Sequence, residues 1–403
     1  MAESSAEPGA GRALSIYLDN AATTQVDPRV AEAMRPWLGA MFGNPSSLHE
    51  AGRRARQAVD EGRAQLAGLL GAEPGEIYFT ASGTEADNLA LTGVVEAHGA
   101  GNCHIVTSSI EHPAVLQTCL FLQERGIEVS YLPVDRDGIV SPSSLMASLR
   151  PTTVLVSVMT ANNVVGSIQP IAQLAAIAHE HGALFHTDAV QAVGKIPLDV
   201  RALGIDLLSL SAHKLHGPQG IGALYVRSGV RAEPHVHGGG QERGLRSGTE
   251  NVAGIVGLGR AAAVAGAGMA EEAARLLGFC DRTVTTLAQE LPNAYLIGHR
   301  YRRLPGHLCL GFHGLENEAI TLLLGLDNYG IAASSGSACS AHRSGEPSYV
   351  LEAMGFDPVR ARGSLRVSMG RFTSDADIDR FLEVLPAVVA SLRPVGSDVL
   401  LRR

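Results

Sequence analysis

The chain has 403 residues, a length that predicts two or three domains. Apolar residues make up 45% and charged residues 18%, which is ordinary for a globular protein and excludes a largely disordered chain. The formal net charge of −8 provides no basic surface for DNA, RNA or an anionic membrane, so we expect no direct nucleic-acid ligand.

The amino-terminal residues 1–13 are rich in Ala, Ser, Gly and Glu and predict a disordered tail. They contain no basic segment followed by an apolar one, so we expect no signal peptide and a cytoplasmic protein. The most apolar window, Val252–Ala270, contains Arg260 and several glycines. This composition favours a tightly packed core helix over a membrane span, and we expect no membrane association.

The first two thirds of the chain alternate short apolar, β-branched runs with helical patterns. The predicted strands are Glu76–Thr80, His104–Thr107, Thr153–Met159, Ala183–Thr187, Asp206–Ser209 and Gly222–Val226. The predicted helices are Ala51–Leu70, Glu85–His98, Pro113–Arg125, Leu145–Leu149, Ile171–His181 and Val200–Leu203. This alternation indicates an α/β fold with a mostly parallel sheet.

A second α/β unit follows the helical stretch Val252–Cys280. Its predicted strands are Leu308–Phe312, Ile331–Ala333 and Leu365–Met369, and its predicted helices are Glu318–Leu324, Pro347–Met354 and Asp375–Leu392. We therefore expect a large domain over residues 14–265 and a smaller carboxyl-terminal domain over residues 266–403. The first ten or so residues of the large domain are expected to pack against the small one.

Polar clusters follow the predicted strands of the large domain. They are Ser82–Thr84, Glu111–His112, Asn162–Asn163, Asp188–Gln191 and Ser211–Lys214. Because ligands of open α/β sheets bind beyond the carboxyl ends of the strands, these clusters predict one binding site.

Only two residues of the chain, Lys195 and Lys214, are lysines. Lys214 follows a buried strand and lies beside Ser211 and His213, an arrangement that can display a nucleophilic amine next to phosphate donors. The alternative, a solvated loop lysine, fits the tetrapeptide alone equally well or better. Lys195 has no such neighbours, and we expect it to be a solvated loop residue.

Asp188 ends an apolar strand, where a carboxylate is poorly hydrated unless a cation pairs with it. A protonated pyridine nitrogen would be such a cation, although Asp188 could instead cap the following helix. Gly83 and Thr84 begin a helix and could bind a phosphate through backbone amides and a hydroxyl, with simple helix capping as the alternative.

The chain has five cysteines and no CxxC pair, so neither a disulfide framework nor a zinc ribbon is expected. Cys339 lies in a run of small polar residues, which predicts an exposed and catalytic thiol. The other four, Cys103, Cys119, Cys280 and Cys309, lie in strand or helix patterns that predict buried, unreactive thiols.

Competing motifs are incomplete. His237-Gly238-Gly239-Gly240 resembles a hydrolase oxyanion loop, but the chain has no G-x-S-x-G nucleophile motif. Phosphate-loop and dinucleotide-binding fingerprints are also missing from the sequence. His235 and His237 lack a third ligand nearby, so we expect no metal site.

Taken together, the motifs of this chain closely resemble those of the cysteine desulfurases over about residues 14–392. The matching segments are Tyr17–Thr24, Gly43–Ser47, Ser82–Glu85, Glu111–His112, His186–Gln191, Ser211–Lys214, Arg246–Thr249 and Ser335–Cys339. The resemblance implies a homodimeric, pyridoxal-phosphate-dependent enzyme of fold type I, whose large domain carries the cofactor.

The resemblance also implies a role for each matching residue. Lys214 would carry pyridoxal phosphate as a Schiff base, His112 would stack on its ring, and Cys339 would accept the sulfur. Arg366 and Asn163 would bind the substrate, and Thr249 would reach the phosphate of the partner subunit. The remaining cofactor-binding residues would be Gly83, Thr84, Asp188, Gln191, Ser211 and His213.

The implied reaction converts L-cysteine to L-alanine and leaves a persulfide on Cys339 for a sulfur-acceptor protein, as in iron–sulfur cluster biosynthesis. The chain departs from the family pattern at Val164, Val165, His216 and Gln219, which bears on substrate or partner choice. Two other hypotheses remain at this point: a selenocysteine lyase or aminotransferase of the same fold, and a catalytically silent adaptor.

Overall fold

The computed structural model describes residues 16–99, 101–336 and 346–392. Its strands are β1 (Ile16–Tyr17), β2 (Ile77–Thr80), β3 (His104–Ser108), β4 (Glu128–Leu132), β5 (Thr153–Ser157), β6 (Leu184–Asp188), β7 (Leu207–Ser211), β8 (Gly222–Val226), β9 (Ala294–Ile297), β10 (His307–Phe312), β11 (Ile331–Ala332), β12 (Ser334–Ser335) and β13 (Leu365–Ser368). Its α-helices are α1 (Pro28–Met34), α2 (Glu50–Leu70), α3 (Gly83–Ala97), α4 (Pro113–Gln123), α5 (Pro142–Ser148), α6 (Ile171–Glu180), α7 (Val252–Glu290), α8 (Ala319–Asn328), α9 (Tyr349–Ala353), α10 (Pro358–Ala361) and α11 (Asp375–Leu392).

A seven-stranded sheet forms the larger part of the molecule, in the order β2-β8-β7-β6-β5-β3-β4. Strands β7, β6, β5, β3 and β4 are parallel, and β8 is antiparallel to both of its neighbours. Helices α2, α6 and α7 contribute to the hydrophobic core on one side, while α3 and α4 contribute to a second cluster. The strands are apolar because helices cover both faces of the sheet. The predicted α/β class with a mostly parallel sheet is confirmed.

A smaller antiparallel sheet has the order β12-β13-β10-β9. Its core includes side chains of α8, α11 and the second half of α7. The first strand, β1, pairs in parallel with β11, so that Ile16 lies opposite Ile331. Leu18 is fully buried in this same core. The amino-terminal strand therefore packs with elements from the carboxyl-terminal third of the chain.

Helix α7 runs without a break over 39 residues and contributes side chains to the cores of both sheets. Its first half packs closely on α2, because a Cβ atom on Gly259 would lie 2.5 Å from the Cα atom of Gly62. Its second half buries Leu276 and Phe279 in the small core. By length and composition this helix could cross a membrane, but half of its most apolar window is buried inside the protein. Close packing against α2 accounts for its glycine and alanine content.

Several elements differ from the predicted ones, among them α1, β9 and α10, which were not predicted. Three differences have a local cause. Strand β4 was not predicted, because its residues are half-exposed and lack a clear apolar alternation. Residues 200–203 form turns and not a helix, since the Asp199 carboxylate accepts the backbone amides of Arg201 and Ala202, both at 2.9 Å. Helix α7 continues beyond Cys280 to Glu290 because Thr283 and Leu287 are still buried.

Candidate active site

A cavity of about 580 Å³ lies between the carboxyl edge of the large sheet and the small sheet. Its volume is within the range typical of small-molecule sites. Of the predicted site residues, it brings together Gly83, Thr84, His112, Asn163, Asp188, Gln191, Ser211, His213, Lys214 and Arg366. Thr249 lines a separate cavity of about 230 Å³, which shares Gly220 with the first. Cys339 lies outside the described residues.

Lys214 is displayed by the end of a buried strand. Strand β7 is buried at every residue, and a short 3₁₀ turn over Ala212–Lys214 follows it directly. The side-chain amine is half-buried and donates to the carbonyl oxygens of Ala21 and Ala22, each at 2.5 Å. The alternative of a solvated loop lysine is therefore wrong. The amine is held at the cavity by the segment that follows β1.

Asp188 ends β6 and is 4% exposed. Its Oδ1 atom accepts the backbone amide of Val190 at 2.9 Å, a contact that fixes a turn and does not start an α-helix. Burial raises the pKa of this carboxyl, while His112 and Lys214 act in the opposite direction. A buried carboxylate of this kind is stabilised by a ligand that brings a positive charge.

His112 supplies a neutral ring at the cavity wall. It caps α4, and its Nδ1 atom accepts the backbone amide of Ala114 at 3.1 Å. Burial lowers the pKa of this imidazole. Because Nδ1 is an acceptor, the proton of the neutral ring is on Nε2.

The start of α3 forms an anion-binding end of the cavity. Ser82 caps the helix by accepting the amide of Glu85 at 3.1 Å, and the Thr84 side chain is exposed. A Cβ atom on Gly83 would lie 2.6 Å from the Val190 side chain, so only glycine fits here without a clash. His213, whose pKa burial and Lys214 lower to about 4, is neutral beside it. Free helix amides and hydroxyls of this type bind phosphate.

Arg366 lies on β13 and is 1% exposed. Its Nη1 atom donates to the carbonyl oxygen of Asn163 at 3.0 Å, and its Nη2 atom donates to Asp19 Oδ1 at 2.9 Å. Asn163 is itself buried. Sequence reasoning did not assign a role to Asp19, although it belongs to the conspicuous segment Tyr17–Thr24.

Two further buried acids lie near the cavity: Glu111, which belongs to a predicted polar cluster but was given no role, and Asp87, which the sequence analysis missed. Asp87 lines the cavity, and neither of its carboxylate oxygens has a hydrogen-bond partner among the described residues. Burial and the nearby Asp188 raise its pKa well above the ordinary value. Burial also raises the pKa of Glu111 to about 8. The available signal for Asp87 was its place on α3, three residues after Thr84 and therefore on the same helix face.

Lys195 is not the solvated loop residue that was predicted. Its side chain is half-buried, and its Nζ atom lies 3.4 Å from Gln191 Oε1. Burial, with Lys214 as the next cause, lowers its pKa to about 7. Both lysines of the chain therefore lie at the same site.

The cysteine predictions are confirmed for the described residues. Cys103, Cys119, Cys280 and Cys309 are free and buried. Burial raises the pKa of Cys119 and Cys309 to about 12 and that of Cys280 to about 11, so these thiols stay protonated and unreactive. Within residues 16–99, 101–336 and 346–392, no cluster of three or more His, Cys, Asp or Glu side chains could hold a metal ion.

The residues of the cavity fit pyridoxal phosphate. An amine, a buried carboxylate and a helix start with free amides line one space of sufficient volume. The close packing of Gly83 against Val190 brings the start of α3 to this edge of the cavity. This set corresponds to the aldehyde, the ring nitrogen and the phosphate of the cofactor.

Comparisons with known proteins agree with this geometry. Residues 16–381 match the family described as aminotransferase class-V. The chain is 49% identical to the cysteine desulfurase IscS of Methanosarcina thermophila over 94% of this chain and 93% of that protein. Among solved structures, it resembles a NifS-like protein with a TM-score of 0.87 and 39% identity, over 94% of this chain and 100% of that one.

A second solved structure, that of SspA in complex with cysteine, gives a TM-score of 0.76 at 36% identity and covers 89% of this chain and 100% of that one. The matches to these proteins and to the family extend across nearly the whole described fold, from β1 into α11. The chain therefore belongs to the class-V aminotransferase family and, within it, to the cysteine desulfurases.

Proposed function

We propose that this chain is a pyridoxal-phosphate-dependent L-cysteine desulfurase. L-cysteine and the thiol of Cys339 would give L-alanine and a Cys339 persulfide, in which one S–S bond replaces the carbon–sulfur bond of the substrate. The observation that carries this proposal is the meeting of Lys214, Asp188 and Arg366 in one cavity. An amine, an acid and a guanidinium at one site match an amino-acid substrate and a pyridine cofactor.

Each part of the cofactor has a residue to hold it. Lys214 would bind it covalently, Asp188 would pair with the ring nitrogen, and Gln191 would face the phenolic oxygen. The phosphate would be held by Gly83, Thr84, Ser211 and His213, and His112 would cover the ring face. When bound, the group withdraws electrons from the Cα atom of an amino acid.

Protons would be handled by Lys214. Its Nζ atom lies at the cavity and is held by two carbonyl oxygens, so it can take the substrate Cα proton once it is released from the cofactor. Burial raises the pKa of Asp188, and its carboxylate would be stabilised by the amide of Val190 together with the positive charge of the ring nitrogen. The neutral His112 adds no competing charge at the ring.

The substrate carboxylate would bind at Arg366, with Asn163 beside it. Planar guanidinium groups bind carboxylates through two parallel hydrogen bonds. In the structure, Asp19 occupies one donor of Arg366, so Asp19 orients the guanidinium and yields to the substrate. The structure of the related SspA contains cysteine, which supports cysteine as the ligand class.

The finished site would require a homodimer, with Thr249 of each chain serving the phosphate of the other. Thr249 lines its own smaller cavity and not the one around Lys214, which supports a role across an interface. The highly exposed apolar side chains of Leu38, Phe42 and Leu48 also favour a protein contact. We further propose a large domain over residues 14–265, a small one over 266–403, and a cytoplasmic enzyme that feeds a sulfur acceptor of iron–sulfur cluster biosynthesis.

The test measures alanine and sulfide released from L-cysteine in the presence of a thiol reductant. Lys214→Ala should abolish turnover and the visible absorbance of the cofactor. Cys339→Ser should keep the absorbance but lose persulfide and nearly all alanine, because no thiolate is left to accept sulfur. The matched control is Cys103→Ser, which changes a buried thiol outside the cavity and should remain active.

The same assay with L-selenocysteine separates the alternatives. A Cys339→Ser variant that turns over cysteine at the wild-type rate would contradict the proposal and favour a lyase or aminotransferase of this fold. A persulfide mapped by mass spectrometry to Cys103, Cys119, Cys280 or Cys309 would also contradict it.

A further inference from the structure

We propose that Lys195 is a positioning residue of this site, which fixes the amide of Gln191 in one orientation and places a second amine behind Lys214. The inference deepens the proposed function and rests on it for the role of Gln191 toward the cofactor. It concerns a lysine that was expected to be a solvated loop residue.

A short chain of hydrogen bonds joins Lys195 to Lys214. Lys195 Nζ donates to Gln191 Oε1 at 3.4 Å, and Gln191 Nε2 donates to the carbonyl oxygen of Ala21 at 2.9 Å. The same carbonyl oxygen accepts Lys214 Nζ at 2.5 Å. One amide and one carbonyl group therefore join the two amines.

The two contacts of Gln191 determine which end of the amide faces the cavity. A glutamine amide can rotate by half a turn and exchange its oxygen and nitrogen. The Ala21 carbonyl oxygen can only accept, so it lies against Nε2, and the Lys195 amine donates to the other end of the amide, Oε1. Lys195 thus keeps Nε2, the donor end, on the side of Ala21 and the cavity. A donor is what the phenolic oxygen of the cofactor requires.

The burial of Lys195 is otherwise unexplained. Gln191 is 5% exposed, and among the described residues no carboxylate lies within ion-pair distance of the Lys195 nitrogen. A buried amine without a carboxylate partner weakens the fold, and an apolar side chain of equal length would cost less. A role at the site accounts for the amine.

The second amine also affects the first. The titratable and charged groups that act on Lys195 or respond to it come from several elements, namely Lys214, Glu272, Arg366, His213, His216 and His307. Lys214 is the strongest of the charged groups acting on Lys195. The charge of Lys214 favours loss of the proton from Lys195, so the two amines titrate as a coupled pair.

The first experiment uses the protein without cofactor and exploits the fact that the chain has only two lysines. Reductive methylation with ¹³C-formaldehyde labels both side chains, and their NMR signals are titrated with pH. In Lys214→Met, the midpoint of Lys195 should rise by about one pH unit, because the neighbouring positive charge is gone. Lys214→Arg retains the charge and should restore the wild-type midpoint of Lys195.

The second experiment uses the protein loaded with pyridoxal phosphate and reads the pH midpoint of its visible absorbance. Lys195→Met and Gln191→Met should each shift the midpoint, and the double variant should shift it no further than Gln191→Met alone. Such non-additivity is expected if Lys195 acts through Gln191.

The two experiments distinguish a failure of the proposed function from a failure of the inference about Lys195. Absence of any visible absorbance in the loaded wild type would contradict the proposed function, while the NMR titration would still test the pairing of the two amines. An unchanged Lys195 midpoint in Lys214→Met would overturn the inference. Fully additive shifts in the absorbance experiment would overturn the route through Gln191.

Discussion

The two sides of the cavity differ in how their buried charged groups are paired: acids on the large-sheet side lack a paired cation among the described residues, whereas charges on the small-sheet side form ion pairs. On the large-sheet side lies what we call the floor, formed by Asp87, Glu111, His186 and Asp188, all buried. It contains three acids and no paired cation, since burial lowers the pKa of His186 to about 3 and leaves the ring neutral. The 3.6 Å approach of His186 to Asp87 is therefore not an ion pair.

On the other side lies what we call the seam, formed by Asp19, Asp27, Glu272, Arg366 and Arg371. Here each arginine has an acidic partner. Arg366 pairs with Asp19 at 2.9 Å, and Arg371 pairs with Asp27 at 3.0 Å and with Glu272 at 2.9 Å. Contacts from Arg29 and Arg371 hold the pKa of Asp27 far below its ordinary range.

The difference separates two uses of charge. Paired charges in the seam join distant parts of the chain, and those of Arg371 are complete within the protein. In the floor, burial raises the pKa values of the acids, and Asp188 is the one expected to pair with a positive charge brought by a ligand. Perturbed acids without a cation thus point to the site more directly than salt bridges do.

The largest expected effect comes from removing charge from the floor. Asp188→Asn should still bind pyridoxal phosphate but lose at least about 100-fold in the rate of alanine release, because an amide cannot hold a proton on the ring nitrogen. Asp87→Asn is the matched control. Burial raises the pKa of its carboxyl and so favours the neutral form, which an isosteric amide resembles, and the rate should stay near that of the wild type. Equal losses in both variants would show that the floor charge is shared and not localised on Asp188.

The next effect is on stability and concerns the seam. Arg371→Met leaves the buried Asp27 and the half-buried Glu272 with one fewer cation, and it should lower the free energy of unfolding by about 3 kcal/mol. Urea unfolding followed by circular dichroism measures this loss. If the free energy of unfolding falls only as much as it does for an exposed ion pair, the ion pairs of the seam stabilise the fold no more than surface ion pairs do.

The third effect is a pH dependence that comes from Glu111. Its pKa is about 8 in the folded protein and near 4.5 in the unfolded chain, so between these values the folded state binds the extra proton and stability falls as pH rises. Glu111→Gln removes this slope. Its melting temperature should match that of the wild type near pH 4 and exceed it by roughly 5 °C at pH 8. Parallel melting curves across that range would contradict the assignment.

The smallest effect sets the baseline. Arg380 and Glu383 form an exposed pair at 2.7 Å on α11, away from both regions. Arg380→Met should change the free energy of unfolding by less than about 0.5 kcal/mol, and added salt should abolish even that difference. A larger loss would mean that the Arg371 result cannot be ascribed to burial.

Residues at the ends of strands could be predicted from the sequence. Lys214, Asp188 and His112 each follow an apolar run, and parallel strands bring such positions to one edge. Asp87 and Lys195 were not predicted as site residues, because each lies one helical or turn step beyond a recognised motif and its burial depends on tertiary packing. The ion pair between Asp19 and Arg366 was equally invisible, since 347 positions separate its members.

Helix α7 has a consequence for mechanics and for experiments on fragments. With a rise of about 1.5 Å per residue, its 39 residues extend roughly 58 Å as one stiff element. Its first half packs against α2 and its second half lies in the small core, so this one helix connects the two sides of the cavity. Cutting the chain near residue 265 would divide this helix, and each fragment would lose the packing contacts that the other half of the helix makes. Proteolysis confined to surface loops should accordingly leave the two sheets bound together, and the width of the cavity can change only as far as this helix bends.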